Sequence, residues 1–243
     1  MTLKPKKVLK KSKISHIKIH SDEWHASRLA KFTSSEIHYL TGSGFLRYVR
    51  LKVGEEITGK SAKGEIDVEA TRWGGFYEAE AIQKWGKKMG LDFMVVQQLI
   101  SEEGSRFGST PDGLIVTRIS PDETEYEVET VEVKCPITFD NYLLLFECET
   151  PAELKAAKKE YYWQVLDQMD NCEALIGHFI AYHPYFRVGN MKHIQFNKME
   201  CIETKKGKEF PIYADLKFLK EQKRLAVESF DKLRDKLMTA GIV

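Results

Sequence analysis

Asp112, Glu132 and Lys134 are the residues of this 243-residue chain whose types and spacing could do chemistry together. A hard divalent cation such as Mg²⁺ takes oxygen ligands, keeps several waters, and is usually held by only one or two protein carboxylates. Asp112 and Glu132 meet that need. A lysine beside them can orient a metal-bound water and favour its hydroxide form by adding positive charge. Hydrolysis of a phosphodiester is the chemistry such a set suits. The spacing alone is cheap: with 36 acids in the chain about four acid-x-Lys matches arise by chance, and the sequence holds five, at Glu132, Glu153, Glu203, Asp215 and Glu221. A Glu and a Lys two apart on the wet face of a half-buried strand is also ordinary sheet architecture.

The surrounding sequence separates the first of these five from the others. In VEVKCP, Val131, Val133 and Cys135 alternate with Glu132 and Lys134, which in a pleated strand sends the apolar set to the core and the charged pair to the other, solvated face. Upstream, RFGSTPDGLIVT (106–117) reads as strand, tight turn, strand, with Pro111 presetting the turn and Gly113 relieving it. Leu114 to Val116 continue as a buried strand. The acidic stretch 121–127 then connects to a strand at about 128–135. A hairpin of this kind puts Asp112 at the start of one strand and Glu132 and Lys134 on its partner, with all three at one edge of the sheet.

Pro111-Asp112 followed by Glu132-Val133-Lys134 resembles the PD-(D/E)xK nuclease signature. RWGGFYEAEAIQKW (72–85), TPDGL (110–114) with EVKCP (132–136), and YYWQVLDQM (161–169) stand in the order seen in lambda-type alkaline exonucleases, also called YqaJ-type viral recombinases. RLAKFTSSEI (28–37) is similar to that family's phosphate-contacting segment, so the resemblance covers about 24–169. It implies a restriction-endonuclease-like fold and a Mg²⁺-dependent exonuclease, with Mn²⁺ as a substitute. The implied reaction digests one strand of linear double-stranded DNA from its 5′ end and leaves 3′ tails for recombination by strand annealing. Asp112, Glu132 and the Val133 carbonyl would hold metal, Glu78 would support a second ion, and Lys134 would steer the attacking water. An annealing recombinase as partner, a homotrimeric ring around DNA, and phage or prophage origin in a bacterial cytoplasm are further implications.

Other candidates carry two readings. Glu78 sits on a long helix beside Glu80, where an acid is ordinarily just solvated. Gln164 lies between Trp163 and Val165, beside the helix stripe Leu154, Ala157, Tyr161, Val165 and Met169. From there it could reach a scissile phosphate or bound water, or be a surface amide. Arg28 precedes the hydroxyls of Thr33, Ser34 and Ser35 at an expected helix start capped by Thr33 or Ser34, where free N–H groups face an anion. A guanidinium there would make a terminal-phosphate pocket with Ser35. Thr110, where the family carries a serine, would add a hydroxyl. The aromatics Trp24, Trp73, Trp163 and 182–186 read mainly as core, with Trp73 the exception, in a region the family uses to part the strands. Endonuclease action without a DNA end, and a catalytically idle DNA-binding module, are the competing functions.

A net charge of +1 is low for a protein that grips a polyanion, so contact with DNA must come from local clusters. Residues 1–21 carry seven lysines and no acid, and read as a flexible basic arm ahead of a single domain at 22–243. No apolar run is long enough for a membrane span or a signal peptide. Cys135, Cys148, Cys172 and Cys201 form no CxxC pair, which fits reduced thiols in a cytoplasmic protein rather than zinc or an iron–sulfur cluster.

The element order expected from pattern begins with two short helices in 22–41, an irregular Gly-rich stretch at 42–64 and a long helix at 66–89. Strands follow near 93–99, 106–109, 112–118 and 127–135. Helices at 139–146 and 151–171, strands near 174–182 and 192–199, and a helix at 212–238 complete it. Helix, mixed sheet, helix is an α/β layered plan.

Overall fold

The structure is a computed structural model that describes residues 8–15, 17, 21–62, 69–91, 98–204 and 207–241. Its centre is a mixed sheet built on the long strand β5. In chain order the elements are β1 (Leu9–Lys10), α1 (Asp22–Arg28), β2 (Phe32–Thr33), a 3₁₀ segment (Ser34–Thr41), α2 (Phe45–Thr58), α3 (Glu69–Met89), β3 (Phe107–Gly108), β4 (Gly113–Ile119) and β5 (Glu125–Lys134). Then come α4 (Phe139–Phe146), α5 (Pro151–Ala157), α6 (Lys159–Asn171), β6 (Ile176–Tyr182), β7 (Met191–Asn197), β8 (Ile202–Thr204), β9 (Gly207–Glu209) and α7 (Pro211–Thr239). β4 pairs antiparallel with one side of β5. On the other side, β6 runs parallel to the C-terminal half of β5 and β1 antiparallel to its start. β7 closes the far edge against β6.

Both faces of this sheet are covered. Val131, Val133 and Cys135 pack with Ile180 and Tyr182 against Ala81, Ile82 and Trp85 of α3. The opposite face, through Phe179 and Ala181, joins Val165, Leu166 and Met169 of α6 in a larger core that also takes in α2 and α7. The expected helix–mixed sheet–helix architecture is the observed one. Gly177 on β6 marks where α6 comes closest to the sheet, since a Cβ there would meet the Met169 Sδ at 2.8 Å and Val165 Cγ1 at 3.0 Å. That close seating brings the buried face of α6 down onto β5.

Several expectations need correction. The stretch 42–64 is not irregular: it contains the 14-residue helix α2, which ends at Gly59 with φ 64°. Tyr48, Val49, Lys52 and Val53 line its buried face at helical spacing, and this stripe outweighs the glycines that bracket it. The helix expected over 151–171 is two, broken at Lys158, whose φ −144° and ψ 73° are not helical. The basic arm is not wholly free, because Leu9 is fully buried in β1 and Lys13 pairs with Glu102 at 3.0 Å. The strand expected at 93–99 lies largely on residues outside the described set, as do most lysines of the arm and the first turn expected of the long helix.

Candidate active site

The register of the β4–β5 hairpin builds the site. Gly113 stands opposite Val131, so Asp112 lies just beyond the last pair, and its backbone N–H donates to the Val131 carbonyl at 3.0 Å. The Asp112 Oδ2 then accepts from the Val133 N–H at 2.6 Å. Because a strand residue's N–H and C=O point to the same side, the Val133 carbonyl faces the same open edge. Val133 lines a neighbouring groove that shares Glu78, Lys134 and Gln164 with the cleft described below.

Glu132 does not face solvent, and Lys134 is half-buried. The second face of β5 is roofed by α6, and Glu132 is only 1% exposed. Gln164 donates to the Glu132 Oε1 at 2.5 Å, Gln168 donates to Oε2, and Lys134 pairs with Oε1. The alternation rule found the face but not what covers it. Gln164 is therefore a buried partner of the carboxylate rather than a surface amide. Gln168 escaped the sequence reading, although its i, i+4 spacing from Gln164 in WQVLDQM places both amides on one helix face.

A cleft of about 230 Å³ collects Trp24, Arg28, Thr33, Ser34, Ser35, Glu78, Thr110, Asp112, Glu132, Lys134 and Gln164. Three carboxylates thus share one low-dielectric space. Burial lifts the Asp112 carboxyl well above the usual carboxylate range, and the charges of Glu132 and Glu78 push it further. Burial disfavours the Lys134 ammonium, yet Glu132 and Asp112 outweigh that and hold its pKa above the ordinary lysine value. Glu78 reaches the cleft wall, but among the described residues no three His, Cys, Asp or Glu side chains close into a preformed metal cage.

In the same cleft, the Arg28 guanidinium lies over the Trp24 ring at 4.2 Å, and burial lowers its pKa, with Glu36 opposing. The Ser35 Oγ is 3.5 Å from the Thr33 Oγ1. The Thr110 Oγ1 is buried without a hydrogen-bond partner among the described residues. One expectation fails here. The segment 34–41 is a 3₁₀ helix whose Thr33 side chain makes no cap bond, and the Ser34 hydroxyl turns inward to donate to the Asp167 Oδ2 at 2.7 Å. Trp73 does not line the cleft; it packs among aromatics, with ring centroids 4.6 Å from Tyr77 and 5.4 Å from Tyr185.

A hairpin that sets an aspartate beside a Glu-x-Lys strand, within a mixed sheet layered by helices, defines the PD-(D/E)xK class of fold. Residues 23–173 match the YqaJ-like viral recombinase domain, and the chain belongs to that family. No curated protein matches the sequence. Among solved structures, the alkaline exonuclease LHK-Exo from Laribacter hongkongensis is similar at 18% identity and a TM-score of 0.68, over 91% of this chain and 98% of that one. Its complex with dAMP gives 19% identity and a TM-score of 0.64, over 90% and 100%. A phage-related exonuclease from Haemophilus somnus 129PT gives 15% identity and a TM-score of 0.60, over 85% and 96%.

Proposed function

We propose that the protein is a Mg²⁺-dependent exonuclease that digests one strand of linear duplex DNA from the 5′ end, leaving 3′ single-stranded tails for recombination by strand annealing. The observation that carries this reading is the single cleft that brings Asp112, Glu132, Lys134 and Gln164 together with Arg28, Ser35 and Thr110. The first group suits phosphodiester hydrolysis and the second suits a terminal phosphate. Family membership and the exonucleases named above agree with it.

The donor set fits a hard cation. Two carboxylates and a backbone carbonyl are the number of protein ligands Mg²⁺ accepts while keeping waters, and the repulsion that burdens Asp112 is what a cation would relieve. Asp112, Glu132 and the Val133 carbonyl would hold it, with Glu78 supporting a second ion, and Mn²⁺ would substitute. When bound, the metal supplies a nucleophilic water and neutralises developing phosphoryl charge. Gln164 and Gln168 fix the Glu132 carboxylate in place, and Lys134 positions the incoming water. Arg28 and Ser35 anchor the strand end. The test is digestion of end-labelled linear duplex beside closed circular DNA, with and without Mg²⁺. Loss of the linear form alone, only with metal, is expected; cleavage of the closed circle would overturn the exonuclease reading in favour of an endonuclease.

Metal should also stabilise the fold. At 100 times its dissociation constant, a ligand bound only to the native state adds about 2.7 kcal/mol, so Mg²⁺ is expected to raise the melting temperature. Asp112→Asn should abolish that rise and, by removing one of three crowded charges, leave the metal-free protein at least as stable as the parent. An equal Mg²⁺ response in the two proteins would remove Asp112 from the metal site.

A chain of near-neutral charge grips DNA better by enclosing it than by attraction alone, in keeping with a homotrimeric ring that works with a single-strand annealing recombinase. Sedimentation showing a monomer both with and without DNA would count against the ring.

A further inference from the structure

The two groups of the cleft are joined by one helix. On α6, Gln164 and Gln168 donate to Glu132, and Asp167 accepts from Ser34. Asn171 follows, and positions 164, 167, 168 and 171 form a polar stripe at i, i+3, i+4 and i+7. The stripe is buried: Asp167 and Gln168 are 0% exposed and Ser34 is 3% exposed. The Asp167 carboxylate is held by three donors, Ser34 Oγ at 2.7 Å, Lys223 Nζ from α7 at 2.9 Å and Asn171 Nδ2 at 3.0 Å. Lys223 in turn reaches Asp170 at 3.1 Å. A buried ionic network of this kind is weak as a source of stability, since apolar groups of the same volume hold a core as well. It is strong as a source of direction, because Asp167 is held at both oxygens by three donors from separate parts of the chain.

We infer that Asp167 is a positioning residue: by holding the Ser34 hydroxyl from the same helix that holds Glu132, it sets the distance from the phosphate-receiving segment 33–35 to the metal carboxylates, and so decides which phosphodiester is cut. The inference rests on the nuclease reading above and deepens it. The opposite flank of the segment is already fixed, because β2 pairs in parallel with β3 at Phe107 and Gly108, just before Thr110 and Asp112. Asp167 fixes the flank that the sheet does not reach.

The experiment compares Ser34→Ala, Asp167→Asn and Lys223→Gln with the parent protein on duplexes carrying a 5′-phosphate or a 5′-hydroxyl, scoring KM, kcat and product length in Mg²⁺. Ser34→Ala removes one hydroxyl and leaves Asp167 with Asn171 and Lys223. It should keep metal-dependent cleavage and kcat, raise KM about tenfold on 5′-phosphate ends only, the equivalent of one directed hydrogen bond, and change the length of the released product. Asp167→Asn should shift both readouts the same way, and Ser34→Thr should restore them. Lys223→Gln removes the cation that holds the other Asp167 oxygen, so it should lower the melting temperature and shift both readouts the same way as Asp167→Asn. Parental preference and product length in Ser34→Ala would overturn the inference while the nuclease reading stands. So would an equal loss on both ends, since that marks a general loss of structure. Absence of any end preference in the parent protein would remove the nuclease reading's phosphate pocket, and the inference with it.

Discussion

Replacing Lys134 by alanine is expected to lower metal-dependent turnover by about 10²- to 10⁴-fold, the range for a side chain that positions or transfers a proton in the reacting unit, while the chain stays folded. Lys134 is the cation beside the carboxylates: Glu132 and Asp112 keep it charged against its burial, and its Nζ also lies 5.4 Å from the Tyr161 ring centroid. Removing it leaves Glu132 with both amide donors, Gln164 and Gln168, so the strand and α6 keep their contact. Glu132→Ala should abolish cleavage by a costlier route. It strips two buried amides and an ammonium of their acceptor, and leaving a buried polar group unsatisfied costs about 1–3 kcal/mol. Urea unfolding of both variants beside single-turnover cleavage separates these effects. Near-parental turnover by Lys134→Ala would end the hydrolytic assignment for this cleft.

That contrast also shows what the sequence could and could not convey. The turn at Pro111, the alternation in VEVKCP and the acidic connection between them are local signals, and the β4–β5 hairpin with Asp112 beside Glu132 and Lys134 follows from them. The same alternation says nothing of what lies above the second face. Whether Glu132 is wet or roofed depends on α6, thirty residues away, and on Gly177, which lets that helix settle onto β6. Helix α2 was hidden because turn residues in its surroundings carry a strong local signal, whereas its buried stripe gains meaning only against the core it packs on. Ser34 and Ser35 are neighbours of identical type. Only the tertiary partner Asp167 sends one hydroxyl inward and leaves the other on the cleft. Resemblance assigns Trp73 to a DNA-contacting region, whereas two of its aromatic neighbours, His183 and Tyr185, lie more than a hundred residues away in the chain.

Duplex bearing a 5′-phosphate should be degraded about ten- to a hundredfold faster than the 5′-hydroxyl form, the equivalent of the roughly 1.5–3 kcal/mol of a hydrogen bond to a charged group. A terminal phosphate carries more negative charge than an internal diester and offers three free oxygens. In the proposed reading, Arg28 is the residue that tells them apart. Stacking on Trp24 holds the guanidinium plane and limits the entropy lost when two parallel N–H groups meet two phosphate oxygens. Burial has already lowered the pKa of that guanidinium, so part of the desolvation cost of binding is met by folding, and an arriving anion regains it as attraction. The unpartnered Thr110 hydroxyl gains a hydrogen bond in the same event. Arg28→Ala should therefore erase most of the difference between the two ends while leaving the metal requirement intact, because Asp112, Glu132 and Lys134 are untouched. Arg28→Lys should restore only part of it, since a lysine supplies the charge without the planar fork. Equal rates on the two ends by the parent protein, or digestion from the 3′ end, would dismantle the phosphate pocket and the polarity together, because both depend on Arg28 and Ser35 placing the next phosphodiester over the carboxylates.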